Sequence, residues 1–253
     1  MMQAYGKLFA NVYNLMWRDY ADRVAPLIYD FYSSTSMGKQ NKTLLDVCCG
    51  TGQLAEYFLE KGFSVVGIDS SEGMLKYAKE NALPFITAKQ ASFLHGDAAC
   101  FELDQKFGLV VSTFDALNHL SDLDALKGCF HSVYRVLVDD GYFIFDLNTA
   151  KGLKNWNSLH ITPDDQRFIF NRGIYDETIG KAWTKITGFV RNEEGLYERF
   201  DETVYNTVFV MEEVRSSLLA EGYRSVYYAS FVDLGTAIDD PEDQRKVFFV
   251  AQK

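Results

Sequence analysis

The sequence contains little of what marks a secreted, metal-binding or nucleic-acid-binding protein. Its 253 residues include only 4 cysteines, 4 prolines and 4 histidines. The cysteines form no C-x-x-C pair, and no Cys/His cluster has the spacing of metal ligands, so we expect reduced thiols and no bound metal. Acidic residues outnumber basic ones by 35 to 25, which gives a formal net charge of −10. Because an acidic chain without a basic run repels a phosphate backbone, we expect no nucleic-acid partner.

Long apolar runs are missing as well. No window reaches the ~18 consecutive apolar residues that a membrane-spanning helix needs. The N-terminus also lacks the basic region, hydrophobic block and small-residue cleavage site of a secretory signal. The sequence therefore predicts a cytoplasmic protein with no membrane partner. Aromatic residues, in contrast, are abundant at 15% of the chain, and we expect them both in the core and around a pocket.

Short apolar runs alternate with helical patterns over residues 1–150. An aromatic-rich arm at residues 5–17 comes first. The strand-like runs are residues 42–47, 63–68, 91–95, 107–113 and 142–147. The helical patterns are residues 20–32, 53–61, 71–81 and 121–137. Ser121 and Asp124 have the spacing of a capping box at the start of the last helix. Strands that alternate with helices predict βαβ units, a parallel sheet and the α/β class.

The pattern changes after residue 148. Residues 167–210 alternate polar and apolar side chains in short stretches, which predicts an antiparallel meander of three or four strands with one solvent-exposed face. A helical pattern at residues 211–220 follows, and the chain ends with strand patterns at residues 223–232 and 246–252.

The simplest architecture is one doubly wound domain interrupted by a small β insertion. We assign residues 1–150 and 211–253 to the domain and residues 151–210 to the insertion, which would serve as a lid over a pocket or as a homodimer surface. Its aromatic side chains would either line a substrate or pack on an inner face, and the sequence favours neither. These residues are Phe168, Phe170, Tyr175, Trp183 and Phe189.

A glycine turn follows the first predicted strand. Gly50 and Gly52 stand between this strand and a helix, where glycine lets the backbone turn tightly and approach a ligand. The second strand leads into Asp69, about twenty residues further on, where a carboxylate can accept hydrogen bonds from both ribose hydroxyls of an adenosine. Turn, helix, strand and terminal acid in this order predict a site for an adenosine-containing cofactor.

Asp46 indicates the type of cofactor. It places a negative charge at the end of the first strand, where a dinucleotide site would hold pyrophosphate at a helix N-terminus. That charge would repel pyrophosphate but attract a ligand that carries an ammonium and a sulfonium. The G-x-G-x-x-A pattern at residues 50–55 keeps an NAD-dependent oxidoreductase as an alternative. A non-catalytic cofactor-binding module is the other alternative.

Residues 46–52, D-V-C-C-G-T-G, resemble the first motif of the class I S-adenosylmethionine-dependent methyltransferases. The resemblance covers most of the chain, because residues 67–75, 95–98, 107–113 and 135–145 resemble later motifs of the family. It implies a Rossmann-like, doubly wound, seven-stranded sheet that is mostly parallel and has an antiparallel final strand. It also implies S-adenosylmethionine as the cofactor and S-adenosylhomocysteine as the product.

The resemblance also assigns residues to the cofactor. Asp69 would bind the ribose, Met74 would lie against the adenine face, and Asp97 would accept from the adenine amino group. Cys48 stands where the family usually has glycine, which suggests that this position needs no positive φ and that the thiol packs against the ligand. The implied cofactor-binding residues are Tyr13, Tyr20, Asp46, Cys48, Gly50, Gly52, Asp69, Ser70, Met74, Asp97, Ala98 and Thr113.

The arm resembles the opening of a small-molecule subgroup of this family. Residues 9–14, F-A-N-V-Y-N, and Asp19-Tyr20 beyond them match an opening found in amino-sugar N-methyltransferases and uncharacterised bacterial relatives. In that setting Tyr13 and Tyr20 would close over the methionine end of the cofactor, although both residues also fit plain helix packing.

His119 is the first candidate for a catalytic residue, and Tyr13 is the second. His119 lies in the loop after the fourth predicted strand and would accept a proton from an amine or hydroxyl acceptor. The predicted reaction is the in-line transfer of a methyl group to a nitrogen or oxygen of a small-molecule acceptor, which is the expected partner.

Overall fold

The chain folds into two β-sheets with covering helices, and the computed structural model describes residues 6–253 apart from the side chain of Lys7. Tyr5 of the predicted arm lies outside the described residues. The strands are β1 (Thr43–Val47), β2 (Ser64–Asp69), β3 (Ala91–His95), β4 (Phe107–Ser112), β5 (Leu137–Asn148), β6 (Leu159–Pro163), β7 (Arg167–Asp176), β8 (Lys181–Arg191), β9 (Tyr197–Thr207), β10 (Ser225–Ala229) and β11 (Lys246–Gln252).

Helices occupy most of the remaining chain. They are α1 (Lys7–Met16), α2 (Arg18–Ser34), α3 (Ser36–Gln40), α4 (Gln53–Glu60), α5 (Glu72–Asn81), α6 (Leu83–Thr87), α7 (Leu123–Val136), α8 (Ala150–Lys154) and α9 (Met211–Glu221). A 3₁₀ helix spans Ala116–His119. Within residues 6–253, no helix combines the length and the apolar character needed to cross a membrane.

The larger sheet has seven strands in the order β10-β11-β5-β4-β1-β2-β3. β1 is parallel to β2 and β4, and the pairs β2–β3 and β4–β5 are also parallel. β11 runs antiparallel to both β5 and β10. The predicted Rossmann-like α/β fold is therefore confirmed. Because the strand order reverses between β1 and β4, a crevice opens there at the carboxyl ends of the strands.

Helices cover both faces of this sheet. On one face, Phe130 of α7 and Leu218 of α9 belong to one apolar cluster. On the other face, Ile28 of α2 and Phe58 of α4 belong to a second cluster. All residues of β4 are buried between the two layers. This burial explains why β4 is a nearly continuous apolar run in the sequence.

The smaller sheet has four antiparallel strands in the order β6-β7-β8-β9 and follows β5 in the chain, as predicted. Ile169, Ile186 and Val204 on its inner face cluster with Phe9 of α1 and Met74 of α5. α1 thus contacts both the smaller sheet and the helical layer of the larger one. The domain limits at residues 150 and 211 stay a prediction.

Four aromatic residues of the insertion lie on the outer face of the smaller sheet. Side chains alternate between the two faces of a strand. Phe168 and Phe170 on β7, and Trp183 and Phe189 on β8, therefore alternate with the inner-face residues, and all four are partly exposed. The rings of Phe168 and Phe170 contact each other with centroids 4.8 Å apart. These four residues do not line the space between the sheet and α1.

The start of α7 differs from the prediction. Asp122 is the N-cap, and its carboxylate accepts from the amide of Ala125 at 2.9 Å. The predicted capping box of Ser121 and Asp124 is wrong, because the hydroxyl of Ser121 donates to Asp122 at 2.8 Å instead. Aspartate and serine are comparable caps, so the sequence alone did not decide which residue would begin the helix.

β5 begins earlier than predicted, at residue 137 rather than 142. Residues 139–141, between the predicted helix and the predicted strand, are part of the strand because the end of the chain pairs with them. The amide of Asp140 donates to the carbonyl of Lys253 at 3.2 Å, and the amide of Lys253 donates to the carbonyl of Gly141 at 3.0 Å. The distant C-terminal segment thus supplies the hydrogen bonds that extend the strand.

Candidate active site

Two neighbouring cavities lie at the carboxyl ends of β1 and β4. The turn cavity, of 40 Å³, is bounded by the glycine turn after β1 and by α1 and α2. The insertion cavity, of 310 Å³, is bounded by α1, by the loop after β4 and by the inner face of the smaller sheet. Tyr13, Trp17 and Phe114 line both cavities, so the two share a wall.

The glycine turn takes a backbone shape that favours glycine. Gly50 has φ of 55° and Gly52 has φ of 78°, both in the left-handed region. The amide of Gly50 donates to Oδ2 of Asp69 at 2.9 Å, which fixes the turn to the end of β2. A Cβ atom at Gly50 would find its nearest described neighbour, the ring of Tyr13, at 3.8 Å. The turn therefore presents bare backbone to the turn cavity.

Cys48 overturns one prediction, because its φ is 60°. The position does need a positive φ, although it carries no glycine. The next residue is tied to β2, since the amide of Cys49 donates to the carbonyl of Ile68 at 3.0 Å. The side chain of Cys48 packs against the cluster beneath α7 and also lines the turn cavity. Burial raises the pKa of this thiol well above its usual range, so the thiol stays neutral.

Asp46 is a buried carboxylate with an unpaired oxygen. The residue is 2% exposed and lines the turn cavity, and its Oδ2 has no hydrogen-bond partner among residues 6–253. Burial, followed by the charge of Asp69, raises its pKa to about 8. An unpaired buried carboxylate is costly unless a ligand pairs with it. The turn cavity therefore fits a ligand that brings a positive charge or a hydrogen-bond donor.

Asp69 lies beside this cavity with both of its oxygens engaged. Oδ2 accepts from the amide of Gly50 at 2.9 Å, and Oδ1 accepts from the amide of Ser71 at 2.8 Å. Burial raises the pKa of Asp69, while these two amide bonds act in the opposite direction. Each carboxylate oxygen has a second lone pair for a ligand hydroxyl.

Tyr13 and Tyr20 reach the cavities from α1 and α2. The ring of Tyr13 stacks on Trp17 with centroids 5.6 Å apart. The ring of Tyr20 stacks on Phe114 at 4.3 Å, and its hydroxyl donates to Asp146 at 2.7 Å. Burial, and then nearby carboxylates, raises the pKa of both tyrosines, so both hydroxyls stay protonated.

A buried charge network holds the loop after β4. Phe114 and Asp115 have φ of 66° and 49°, which is strained for residues other than glycine. Their amides donate to Oδ2 and Oδ1 of Asp146 at 2.7 and 2.6 Å. Lys246 of β11 pairs with Asp146 at 3.1 Å and with Asp115 at 2.5 Å. Asp146 therefore holds the strained loop that forms the wall of both cavities.

His119 lies in the 3₁₀ helix and lines the insertion cavity. Its Nδ1 is 2.7 Å from the backbone carbonyl oxygen of Tyr205. A carbonyl oxygen only accepts, so Nδ1 carries a hydrogen, and Nε2 is the basic nitrogen of the neutral ring. The contact thus orients the ring of His119 and fixes its tautomer.

The structure brings together six of the twelve predicted cofactor-binding residues. These are Tyr13, Tyr20, Asp46, Cys48, Gly50 and Thr113, which all line the turn cavity. The other predicted cofactor-binding residues line neither cavity. Ser70 and Asp97 are exposed after β2 and β3, Met74 is 3% exposed against α1, and Ala98 packs beneath α7. Gly52 begins α4.

Sequence patterns do not reveal Asp115, Asp146 and Lys246 as residues of the site. The available signal was a charged residue within an apolar strand, since Asp146 follows F-I-F and Lys246 precedes V-F-F-V. Charged residues are almost never fully buried unless they are paired. That rule identifies the two residues as a pair only when the strands are known to be neighbours.

Known proteins resemble this chain in sequence. The family described as "Methyltransferase domain" matches residues 44–141. The "Putative methyltransferase YqeM" of Bacillus subtilis is 32% identical over 225 residues, which cover 83% of both chains. The dTDP-3-amino-3,4,6-trideoxy-alpha-D-glucopyranose N,N-dimethyltransferase of Streptomyces venezuelae is 28% identical over 228 residues, which cover 86% of this chain and 91% of that enzyme.

A solved structure resembles it in fold as well. DesVI of Streptomyces venezuelae superposes with a TM-score of 0.74 at 26% identity, covering 96% of this chain and 97% of that one. The chain belongs to the S-adenosylmethionine-dependent methyltransferases. It is thus an enzyme with S-adenosylmethionine as its cofactor, which confirms the class and the cofactor predicted from the motifs. The oxidoreductase and the non-catalytic module are set aside.

Proposed function

We propose that the enzyme methylates an amine nitrogen of a small molecule held in the insertion cavity. The observation that carries this proposal is the wall of Tyr13, Trp17 and Phe114 shared by the two cavities. This wall connects the turn cavity, which suits the cofactor's methionine end, to the insertion cavity. The volume of the insertion cavity, 310 Å³, is in the range of small-molecule sites, ~300–1,000 Å³. The similarity to an amino-sugar N,N-dimethyltransferase supports nitrogen as the acceptor atom.

The residues around the turn cavity fit the methionine end of the cofactor. When bound, S-adenosylmethionine supplies a methyl group on a positively charged sulfur, which the acceptor attacks in line. We assign the unpaired oxygen of Asp46 to the ammonium group, because a cation satisfies this buried carboxylate. Gly50 offers bare backbone to the ligand, and Asp69 is assigned to the ribose.

His119 is assigned the role of the base. Only a neutral amine has a lone pair for the attack, so an acceptor that arrives as an ammonium ion must lose a proton before the transfer. With Nδ1 donating to the carbonyl of Tyr205, Nε2 of His119 is the atom that takes this proton. Asp115 lines the same cavity and would attract an acceptor that arrives as an ammonium ion.

Tyr13 acts as a neutral hydroxyl in this proposal. Its raised pKa keeps the hydroxyl protonated, so Tyr13 is unsuited to act as a base near neutral pH. It lines both cavities, where it can orient the acceptor and exclude water together with Trp17 and Phe114. Positioning of this kind supplies a large part of the rate enhancement in a direct group transfer.

The smaller sheet serves as the lid in this proposal, because its inner face forms one wall of the insertion cavity. Its outer face carries the partly exposed aromatic residues of β7 and β8. The hypothesis of a homodimer through the insertion would use that outer face, and it stays a prediction.

A methyl-transfer screen tests the proposed acceptor class. The purified enzyme, its cofactor labelled on the methyl group, is incubated with amines, amino sugars, phenols and carboxylates. We expect labelled product from amines and amino sugars, and loss of that product in a His119→Gln variant that still binds the cofactor. Transfer confined to phenols or carboxylates would show that nitrogen is the wrong acceptor atom.

A further inference from the structure

Asn206 on β9 is a buried amide whose hydrogen-bonding atoms are unpaired. The residue is 1% exposed, and neither Oδ1 nor Nδ2 has a hydrogen-bond partner in the described part of the chain. Its side chain lines the insertion cavity. Buried amides are nearly always paired, because an unpaired one loses its bonds to water without replacement. Asn206 therefore points to a polar ligand in this cavity.

Asn118, also buried, shows how an amide with a structural role is bonded in this region. Its Nδ2 donates to the carbonyls of Asn148 and Thr207 at 3.3 and 3.0 Å. Its Oδ1 accepts from the amide of Asn148 at 2.9 Å. Asn118 thereby connects β9 to β5. Asn206 immediately precedes Thr207 but makes none of these bonds, so a role in holding the fold does not explain it.

Asn206 is adjacent in the chain to the residue that orients His119. The carbonyl of Tyr205 accepts from His119, while the side chain of Tyr205 is 61% exposed on the outer face. The next side chain, Asn206, points the opposite way, as successive residues of a strand do. Asn206 and His119 therefore line the same cavity.

The wall of the insertion cavity is suited to an acceptor without phosphate. Among the side chains that the structure describes, it contains the carboxylate of Asp115 and the imidazoles of His119 and His160, but no lysine or arginine. Phosphate groups in proteins are held mainly by arginine, lysine and helix N-termini. Asp115 and Asp146 share the single cation of Lys246, so the wall keeps a net negative charge that favours a neutral or cationic molecule.

We propose that the acceptor is an unphosphorylated amino alcohol, and that Asn206 binds the hydroxyl group next to the methylated nitrogen. A hydroxyl group both donates and accepts, so one or two neighbouring hydroxyls satisfy Oδ1 and Nδ2. Asn206 is then a specificity-determining residue. This inference rests on the proposed methylation of an amine.

Two acceptors that differ by one hydroxyl group test the role of Asn206. The full-length enzyme is assayed with trans-2-aminocyclohexanol and with cyclohexylamine. We expect kcat/KM of the wild type to favour the amino alcohol by at least about tenfold, because a site built to bond a hydroxyl rejects the analogue that lacks it. Asn206→Leu should reduce this preference to about twofold or less, since leucine offers neither donor nor acceptor.

Thr203→Val is the matched control. Thr203 lies on the same strand, and alternation places it on the face opposite to Asn206. The control should keep the preference of the wild type, and calorimetric titration should show unchanged cofactor binding in both variants. If Asn206→Leu does not fold, Asn206→Asp keeps the shape and an acceptor but loses the donor, and it should lower the preference partially.

The outcomes separate this inference from the proposed function. Equal rates for the two amines, or a preference that survives in Asn206→Leu, would overturn the inference and leave amine methylation standing. A second acceptor pair, 3-amino-3-deoxyglucose and its nucleoside-diphosphate-linked form, tests the absence of phosphate. Faster methylation of the linked form would also overturn the inference. No transfer to any amine with the cofactor bound would instead remove the proposed function.

Discussion

Lys246 on β11 and Asp146 on β5 form a buried ion pair, with 3.1 Å between Nζ and Oδ1. The side chain of Asp146 is fully buried and that of Lys246 is 16% exposed. The same carboxylate accepts from the amides of Phe114 and Asp115, whose left-handed backbone shapes both cavities. The pair therefore links the stability of the fold to the geometry of the site.

We expect Lys246→Met to destabilise the protein by ~3–5 kcal/mol, because it leaves the carboxylates of Asp115 and Asp146 buried without a cation. Burial alone lowers the pKa of Lys246, but the two carboxylates outweigh it and leave the pKa raised. Urea denaturation near neutral pH measures the loss. Lys151→Met is the control, since it removes an exposed pair with Asp243 and should cost less than ~1 kcal/mol. Equal losses in both variants would contradict the prediction.

Cofactor affinity should rise with pH because of Asp46. Burial and the charge of Asp69 raise the pKa of Asp46 to about 8, so much of the ligand-free protein carries a neutral acid near neutral pH. A cationic ligand favours the ionised form. Binding therefore releases a proton, and affinity increases as pH rises towards 8. Calorimetry in two buffers with different ionisation enthalpies measures the proton release.

Two variants complete this test. Asp46→Asn should bind S-adenosylmethionine more weakly and without proton release, because the amide does not titrate. Asp30→Asn, an exposed position on α2, should behave like the wild type. Proton release that persists in Asp46→Asn would assign it to another group.

The same carboxyl should make the ligand-free protein less stable as pH rises. The pKa of Asp46 is about 8 when folded, whereas an aspartate in an unfolded chain has a pKa of ~3.9. The folded state thus binds more protons between these values, and stability falls as pH rises through this window. Asp46→Asn should be more stable than the wild type at the alkaline end but not at the acidic end. Denaturation curves at both ends of the window test this, and parallel pH profiles would exclude it.

Local periodicity was sufficient to predict the larger sheet. The runs at β2 and β4 are apolar because helices cover both of their faces. A continuous apolar run therefore indicates a buried strand from the sequence alone. The glycine turn and the terminal acid could also be predicted from the sequence, because Gly50 and Asp69 belong to one βαβ unit. The structure joins them by a hydrogen bond of 2.9 Å.

Features that depend on contacts between distant segments could not be predicted from the sequence. Cys48 looks like a position without positive φ, but its φ is 60° at the point where the chain turns away from β1 and the next amide bonds to β2. The pair of Asp146 and Lys246 requires β11 to lie beside β5. Asn206 becomes a candidate for acceptor binding only when the smaller sheet is seen to turn its inner face towards the cavity.

Asp69→Ala should weaken binding of S-adenosylmethionine by ~1.5–3 kcal/mol, because it removes a charged hydrogen-bond acceptor. It also removes the acceptor for the amide of Gly50, so the glycine turn should loosen. Asp97→Ala tests the adenine end. Asp97 is exposed, so we expect a smaller loss there, ~0.5–1.5 kcal/mol. Calorimetric titration compares the two, and unchanged affinity in Asp69→Ala would reject the ribose assignment.

His119→Gln should lower kcat by ~10²–10⁴-fold, because the variant lacks a group that takes the proton from the acceptor. Cofactor affinity should stay unchanged, since His119 lines the insertion cavity and not the turn cavity. His131→Gln is the control, because His131 is exposed and pairs with Glu221 at 2.8 Å on the far side of α7. If His119→Gln kept the kcat of the wild type, the proton would leave by another route and the role of His119 as the base would be rejected.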